Sequence, residues 1–313
     1  MKNTTKEDIL VTISCATYNH EAFISEAIES FLKQKTNFKY EILIHDDAST
    51  DKTPLILREY EKKYPNLVRV IYQQENQYSK GKNIGNILDK EARGKYIAIC
   101  EGDDYWIDEN KLQKQISYLE NNSKCGLCFH TVAILDNKLN KKIGEIKPYK
   151  KSQVSPTKDI ILGGGGFIGT NSIIYRKEVM LAPPKFYLDS PVGDYPLQII
   201  NSMKEYAYFI EDTMSVYRVN TGISWTDKNK SYIKEKELNL KLIEMLDKFN
   251  EYSNFKYKQE VFKKIEQWSY VIIKYYQKEN LEITKNEYSY FYSRLGFRRK
   301  LKVLFNKILA KNK

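Results

Sequence analysis

The chain has 313 residues, 42% of them hydrophobic and 29% charged, with a formal net charge of +11; this is the composition of a folded protein of one or two domains and excludes a disordered one. No apolar run approaches the roughly 20 residues that cross a bilayer, and residues 1–10 are too polar for a secretory h-region, so a cytoplasmic location is expected. The basic excess admits nucleic acid, an anionic membrane surface or phosphorylated substrates as partners and by itself selects none of them.

Short apolar runs alternate with helical patterns through the first 120 residues, which predicts helices packed on a mostly parallel sheet. Ile9 to Cys15 reads as the first strand, followed by the turn Ala16-Thr17-Tyr18-Asn19-His20 and a helix over Glu21 to Gln34 that buries Ala22, Phe23, Ala27, Ile28 and Phe31. Tyr40 to His45 is the second strand. Asp46-Asp47-Ala48-Ser49-Thr50-Asp51 then supplies turn and cap chemistry before a helix over Pro54 to Lys63, with proline in its first turn. A strand at Leu67 to Tyr72, a helix at Asn83 to Ala92 and a strand at Lys95 to Cys100 follow, and the last of these runs into Glu101-Gly102-Asp103-Asp104. A helix over Asn110 to Asn121 leads to a strand over Gly126 to Leu135 and a hairpin turn at Asp136 to Leu139.

The middle of the chain is less regular. Gly163 to Gly166 lacks the Lys-Ser/Thr ending of a phosphate loop, which leaves a mobile substrate loop or a plain connector. Asn171 to Tyr175 reads as a strand and Tyr195 to Lys204 as a helix. From about Lys228 glycine and proline nearly vanish, and Leu238, Leu240, Leu242, Ile243 and Leu246 recur at helical spacing. The expected organisation is a catalytic domain over 1–227 and a helical region over 228–313. Its last stretch places apolar residues 297, 301, 304, 305 and 308 at helical spacing among many cations. Such a helix either lies on an anionic leaflet or packs its stripe on the domain.

In an open α/β sheet, ligands bind beyond the carboxyl ends of the strands. Three turns, Thr17-Tyr18-Asn19, Asp46-Asp47 and Glu101 to Asp104, should therefore face one crevice. A carboxylate there can accept a base imide N–H or ribose hydroxyls, and Tyr18 offers a face for stacking. Asp103 and Asp104 are hard oxygen ligands suited to Mg²⁺ or Mn²⁺, which take one or two protein carboxylates and fill the shell with phosphate and water. Each turn taken singly is an ordinary cap or acidic turn. Their shared position carries the functional reading.

Ile13 to Asn19, Glu41 to Asp51 and Gly94 to Asp104 together resemble the family 2 glycosyltransferases of the GT-A fold. The resemblance covers about Ile9 to Asn121. It implies a Rossmann-like, mostly parallel sheet flanked by helices, with a C-terminal helical extension here. It also implies an inverting transfer from a nucleoside diphosphate sugar, usually a UDP sugar, to a saccharide or lipid-linked saccharide acceptor in bacterial surface glycan synthesis. Asp47 then meets the base, Asp103 the ribose and Asp104 the metal, with Thr17, Tyr18 and Asn19 lining the nucleotide. Glu101 departs from the aspartate that often opens the family's metal motif.

Inversion needs a carboxylate to take the acceptor hydroxyl proton. Asp194, just before a predicted helix, is the candidate, with Asp189 in reserve; an N-cap is its structural alternative. Arg218, in the segment Tyr217 to Trp225, either pairs with donor phosphates or is a surface arginine beside a strand. Thr170, Asn171 and Ser172 are candidates for the acceptor side, against a plain linker. Cys125 and Cys128 have zinc-ligand spacing without a second pair, so buried thiols are expected. His45 and His130 read as structural. Two other functions compete: a sugar nucleotidyltransferase, whose Gly-rich first turn with Arg and Lys is missing, and a basic membrane- or nucleic-acid-binding protein. Acidic strand ends would repel a phosphate backbone, so no nucleic-acid partner is expected.

Overall fold

The structure is a computed structural model that describes residues 9–222, 231–279 and 284–311. It divides into two compact units, one of Met1–Leu188 with Val192–Lys228, the other of Asp189–Pro191 with Asn229–Lys313.

The first unit is a mixed sheet with helices on its faces. Its strands are β1 (Val11–Thr17), β2 (Tyr40–Asp46), β3 (Val68–Tyr72), β4 (Tyr96–Ile99), β5 (Tyr105–Trp106), β6 (Cys125–Asp136), β7 (Lys141–Ile146), β8 (Gln153–Ser155), β9 (Ile174–Arg176) and β10 (Tyr206–Val219). They run in the order β3-β2-β1-β4-β9-β6-β10-β5, with β7 on β6 and β8 on β10. β3, β2, β1 and β4 are mutually parallel, and β9 enters antiparallel between β4 and β6. The chain starts at β1, builds outward through β2 and β3, then returns to the other side of β1 as β4. That reversal opens a crevice at the carboxyl ends of β1 and β4, the place where such sheets bind ligands.

The strands facing helices on both sides are continuous apolar runs, as buried parallel strands must be. α1 (Ile24–Leu32) lays Ile24, Ala27, Ile28 and Phe31 against the sheet. Each large side chain among these contributes about 1.5–3 kcal/mol by leaving water. The helix begins later than the sequence pattern suggests, and Ala22 stays exposed in the preceding turn. α2 (Thr53–Lys63) carries Pro54 in its first turn, and α3 (Ile84–Glu91) is capped by Asn83, whose side chain accepts from Asn86 N. α4 (Lys111–Asn121) covers β6, and the β6–β7 hairpin forms around Asp136, whose carboxylate accepts from Lys138 N and Leu139 N.

The middle third departs from expectation. Asn171 is not in a strand; Thr170–Ser172 is a 3-10 turn that precedes β9. The glycine run ends α5 (Thr157–Gly163) and continues as a short 3-10 turn, Gly165–Phe167. α6 (Lys185–Leu188) and α7 (Asp194–Ser202) lead into β10, at 14 residues the longest strand. Its pairing with β6 shifts register near Ile210 to Ser215, which blurs the alternation that would mark it in the sequence.

The second unit contains α8 (Tyr232–Tyr252), α9 (Lys258–Glu279), α10 (Lys285–Ser293) and α11 (Phe297–Lys311). Leu242, Ile243, Leu246, Phe249, Val261, Ile265, Ile273 and Phe291 form its buried interior. Arg294 donates to both oxygens of Asp247, at 3.3 and 2.8 Å, and Thr284 with Glu287 forms a capping box at the start of α10. Among the described residues no helix is long and apolar enough to cross a membrane.

Candidate active site

The three predicted turns meet at the crevice. Register alone brings two of them together, because Thr17 of β1 pairs with Asp46 of β2 and Asp47 N donates to Thr17 O at 3.0 Å. Side chains then lock them. Asn19 N donates to Ser49 Oγ at 2.9 Å, and Asn19 Oδ1 accepts from Thr50 N at 2.8 Å. Glu21 is tied to the second turn the same way: its N donates to the Asp51 carboxylate at 3.0 Å and its own carboxylate accepts from Lys52 N at 2.8 Å. Asn19 and Ala48 both take left-handed backbone angles, φ 57° and 62°, to make these turns. An asparagine tolerates that region better than an alanine does.

Asp46 is buried and accepts from the Ser49 hydroxyl, while burial raises its carboxyl above the ordinary range. Asp47 is also buried, and each of its carboxylate oxygens accepts one backbone N–H, from Gln77 at 2.7 Å and Tyr78 at 3.0 Å. It therefore ties the loop after β3 to the crevice wall. This loop was invisible in the sequence reading, since no local pattern links Asp47 to residues 76–78.

The acidic turn is held still more tightly. Gly102 N donates to Ala16 O at 2.9 Å, and a Cβ on Gly102 would lie 2.9 Å from both Thr17 Oγ1 and His20 Nδ1. A larger residue there would have to push these side chains aside. Beyond the turn, β5 pairs antiparallel with β10, Val216 opposite Tyr105. Asp104 points inward: Asn171 Nδ2 donates to Oδ2 at 2.9 Å and Arg218 N donates to Oδ1 at 2.9 Å.

Arg218 lies beneath this turn. Its Nη1 donates to Asp103 O at 2.7 Å, its Nη2 pairs with Glu26, and its guanidinium sits 4.4 Å from the Tyr105 ring centre. The guanidinium thus braces the carboxylate turn from the protein side; of the two expectations, donor-phosphate partner or surface arginine, the second fails, since Arg218 is buried. Glu26, in the first turn of α1 and 192 positions away, is the partner that the sequence could not point to. The rest of the Tyr217 to Trp225 segment, Ile223 to Trp225, lies outside the described residues.

Asp103 and Glu101 differ from Asp104. Among the described residues no donor from another residue reaches either carboxylate; the Glu101 carboxylate meets only its own backbone N–H, and the backbone carbonyls of Glu101 and Asp103 accept from Asp104 N and Arg218 Nη1. Burial pushes Glu101 up to about 8, and the like charges of Asp103 and Asp194 add to it. Asp104 is raised well above the ordinary range by burial, then by Asp103 and Glu101. Four carboxyl groups, Glu101, Asp103, Asp104 and Asp194, thus share one site. The single guanidinium below it is already paired with Glu26. Such crowding of acids is relieved by a hard divalent cation. Among the described residues no group of three or more His, Cys, Asp or Glu side chains forms a ready-made cage, so a cation here would draw most of its shell from phosphate and water.

Across the crevice, Asp194 opens α7. Its Oδ1 accepts from Tyr195 N at 2.7 Å and its Oδ2 from the Thr170 hydroxyl at 3.5 Å, and burial raises its carboxyl. The helix cap itself is Gly193. Of the three acceptor-side candidates, only Thr170 stands on this side. Asn171 and Ser172 are buried and turned into the framework: the Asn171 amide serves Asp104, Val216 O and Ser215, and Ser172 Oγ donates to Gly169 O at 2.6 Å. Neither has an open face to offer an acceptor, because the tight turn that presents Thr170 directs its two successors inward. Asp189 groups with the helical unit, 3.8 Å from Lys248. Tyr18 follows β1 half-buried at the crevice. Cys15, Cys100, Cys125 and Cys128 are buried free thiols, and His45 and His130 are buried in β2 and β6.

With the geometry in view, residues 12–179 match the family described as glycosyl transferase family 2. An uncharacterised protein of Mycobacterium tuberculosis is 36% identical over 228 residues, 70% of this chain and 63% of that protein, so the match spans less than two thirds of that relative. The Escherichia coli protein WfgD, named a UDP-Glc:alpha-D-GlcNAc-diphosphoundecaprenol beta-1,3-glucosyltransferase, is 38% identical over 118 residues, 37% of this chain and 44% of that one. Among solved structures, S. aureus TarS 1-349 in complex with UDP-GlcNAc aligns with a TM-score of 0.56 at 16% identity, over 93% of this chain and 83% of that one. The likeness is one of fold, the GT-A arrangement of a mostly parallel sheet between helices.

Proposed function

The chain belongs to glycosyl transferase family 2, and from that membership we propose that its first unit moves a sugar from a nucleoside diphosphate sugar, UDP first among the candidates, to a saccharide or lipid-linked saccharide acceptor. The observation that carries this reading is the convergence of Glu101, Asp103 and Asp194 on one crevice, where the guanidinium below, Arg218, is already paired with Glu26. The E. coli relative, named for transfer from UDP-Glc to a diphosphoundecaprenol-linked sugar, and a Bacillus subtilis relative named for teichuronic acid biosynthesis support a UDP-sugar donor and a bacterial glycan. The reaction would run in the cytoplasm, at the inner membrane face where a lipid-linked acceptor is presented.

Tyr18 supplies a stacking face for the base, and Asp47 stands with Thr17 and Asn19 at the wall of that pocket while tying Gln77 and Tyr78 in place. Asp103 and Glu101, whose carboxylates no other residue occupies, would hold Mg²⁺ or Mn²⁺ and would meet the donor ribose and diphosphate. Asp104 takes the positioning role, since both its oxygens already serve Asn171 and Arg218. When bound, the cation neutralises charge on the departing nucleoside diphosphate. Arg218 keeps the turn in register from below.

On the acceptor side Asp194 takes the hydroxyl proton as the oxygen attacks the anomeric carbon and the bond to the diphosphate breaks, which inverts that carbon in one displacement. Burial suits it to the task, because a raised carboxyl is a stronger base. Thr170 fixes its orientation.

Calorimetry with UDP, with and without Mn²⁺, tests the donor half. Binding that needs the cation and is lost in Asp103→Ala is the expected result. Failure to bind any nucleotide, together with salt-sensitive binding of oligonucleotides, would overturn the proposal. So would release of pyrophosphate from a nucleoside triphosphate and a sugar phosphate.

A further inference from the structure

The last helix is docked on its unit by the face that carries Val303 and Arg299. Within α11 Val303 is 1% exposed, whereas Phe297, Leu301, Leu304 and Phe305 are 76, 44, 47 and 66% exposed. Those four stand at i, i+4, i+7 and i+8, one stripe on a helix of 3.6 residues per turn. Val303 falls on the far side, with Arg299 as its neighbour. Arg299 lies 3.8 Å from Glu266 and 5.2 Å from the Tyr270 ring centre, and Lys300 lies 5.5 Å from that of Tyr292. Gly296, just before the helix, lets the backbone approach Glu266, whose Oε1 accepts from Gly296 N at 3.0 Å. These bonds face the stripe outward.

Single exposed apolar residues need no explanation, but four aligned over two turns do. Charge identifies what covers them. Arg298 and Lys302 flank the stripe and are exposed, and from Arg294 to Lys313 the sequence holds eight Lys or Arg and no Asp or Glu. A second copy of this helix, stripe to stripe, would set cation against cation. An acidic lipid surface offers the opposite charge together with an apolar layer below it.

We infer that α11 lies along an anionic phospholipid bilayer, with Phe297, Leu301, Leu304 and Phe305 in the upper acyl region and Arg298 and Lys302 at the headgroup phosphates. The helix then holds the enzyme at the surface without crossing it. The inference stands apart from the transferase reading, because it uses none of the crevice residues.

The test is sedimentation of the full chain with vesicles of phosphatidylcholine, with and without phosphatidylglycerol, over a range of salt. The wild-type chain is expected to bind the phosphatidylglycerol vesicles, less so as salt rises, and to leave the neutral ones in solution. Leu301→Glu and Phe305→Glu should each weaken binding at least about ten-fold, the worth of one buried apolar side chain. Arg298→Ala and Lys302→Ala should each weaken it about five-fold, and only toward the acidic vesicles. UDP affinity should be equal in all four variants, which shows that they fold. Equal binding to neutral and acidic vesicles, or wild-type affinity in Leu301→Glu, overturns the inference. So does a wild-type dimer that Leu301→Glu dissociates, since the stripe would then belong to a second copy. A chain that binds vesicles but no nucleotide leaves this inference intact and sinks the transferase reading.

Discussion

The two sides of the crevice are built to different tolerances. On the donor side the Glu101 to Asp104 turn is fixed from three directions: by Gly102 against β1, by Asn171 and the Arg218 backbone on Asp104, and by the Arg218 guanidinium on Asp103 O. On the acceptor side Asp194 is steadied by its neighbour's N–H and one long bond from Thr170 at 3.5 Å. The contrast teaches that neighbouring carboxylates can separate into structural and chemical ones by where their hydrogen bonds go. A carboxylate whose oxygens are both held short by distant framework groups shapes the site, and one held only by its neighbour, by a long bond or by nothing beyond itself is left to do the chemistry.

The largest test of that division is Asp194→Asn, which preserves shape and removes the base. Transfer should fall by about 10²–10⁴-fold while donor binding is unchanged. Full activity would rule Asp194 out. In the wild-type chain the rate should fall as pH drops through the raised carboxyl of Asp194, so the acid limb should lie above the range of an ordinary aspartate. Next comes the pair Asp104→Ala and Asp103→Ala. The first strands the Asn171 amide and the Arg218 N–H, at a cost of about 1–3 kcal/mol for each donor left unpaired. It should lower the unfolding midpoint clearly. The second removes an open carboxylate and should leave stability nearly unchanged while abolishing Mn²⁺-dependent UDP binding. Equal loss of stability in both would erase the distinction.

Beside Trp106, at the start of α4, lies a buried amine whose surroundings are apolar. Lys111 is fully buried, its Nζ has no hydrogen-bond partner, and it stands 4.0 Å from the Trp106 ring centre. Burial lowers its pKa from 10.5 to about 7. Below about pH 7 the amine is protonated in both folded and unfolded chains, and the folded state bears the whole cost of the buried charge. Between about 7 and 10.5 only the unfolded chain holds the proton, so stability should rise with pH across that window. Lys111→Met should stabilise the chain by about 1–4 kcal/mol at neutral pH and flatten this dependence. Urea unfolding at several pH values measures both.

These results also mark what the sequence could reveal. β1 to β4, α1 to α4 and the β6–β7 hairpin were legible because buried parallel strands and one-sided helices leave plain periodic patterns. β10 was missed because its register shifts break the alternation, and β5 and β8 are two and three residues long. The acidic turns were legible because position after a strand is a local property. The partition among their carboxylates was not, since Asp104 is claimed by Asn171, 67 positions on, and by Arg218, 114 positions on. Arg218 and Asn171 stood out in the sequence, but their bonds to the acidic turn did not, because they join residues far apart in the chain.

Glu26 tests how far the rigidity of the donor turn depends on its outermost brace. Its side chain is over half exposed while its partner Arg218 is nearly buried, so the pair itself contributes little to stability. Glu26→Gln should therefore barely move the unfolding midpoint but raise the Mn²⁺ concentration needed for UDP binding a few-fold, with Glu26→Asp restoring part of it. A change in midpoint without a change in metal dependence would make the brace merely structural.

The smallest effect concerns the turn that carries Asp47. Ala48 holds φ 62°, a region that costs a residue with a Cβ about 1–2 kcal/mol. Ala48→Gly relieves that strain, but the added freedom of glycine in the unfolded chain returns about 0.5–1 kcal/mol of it. The net gain should be under about 1 kcal/mol, with UDP affinity unchanged, because Asn19, Ser49 and Thr50 fix the turn by side-chain bonds that do not involve residue 48. A loss of affinity in this variant would show that the strain at Ala48, and not the cross-bonding of the two turns, is what presents Asp47 to the crevice.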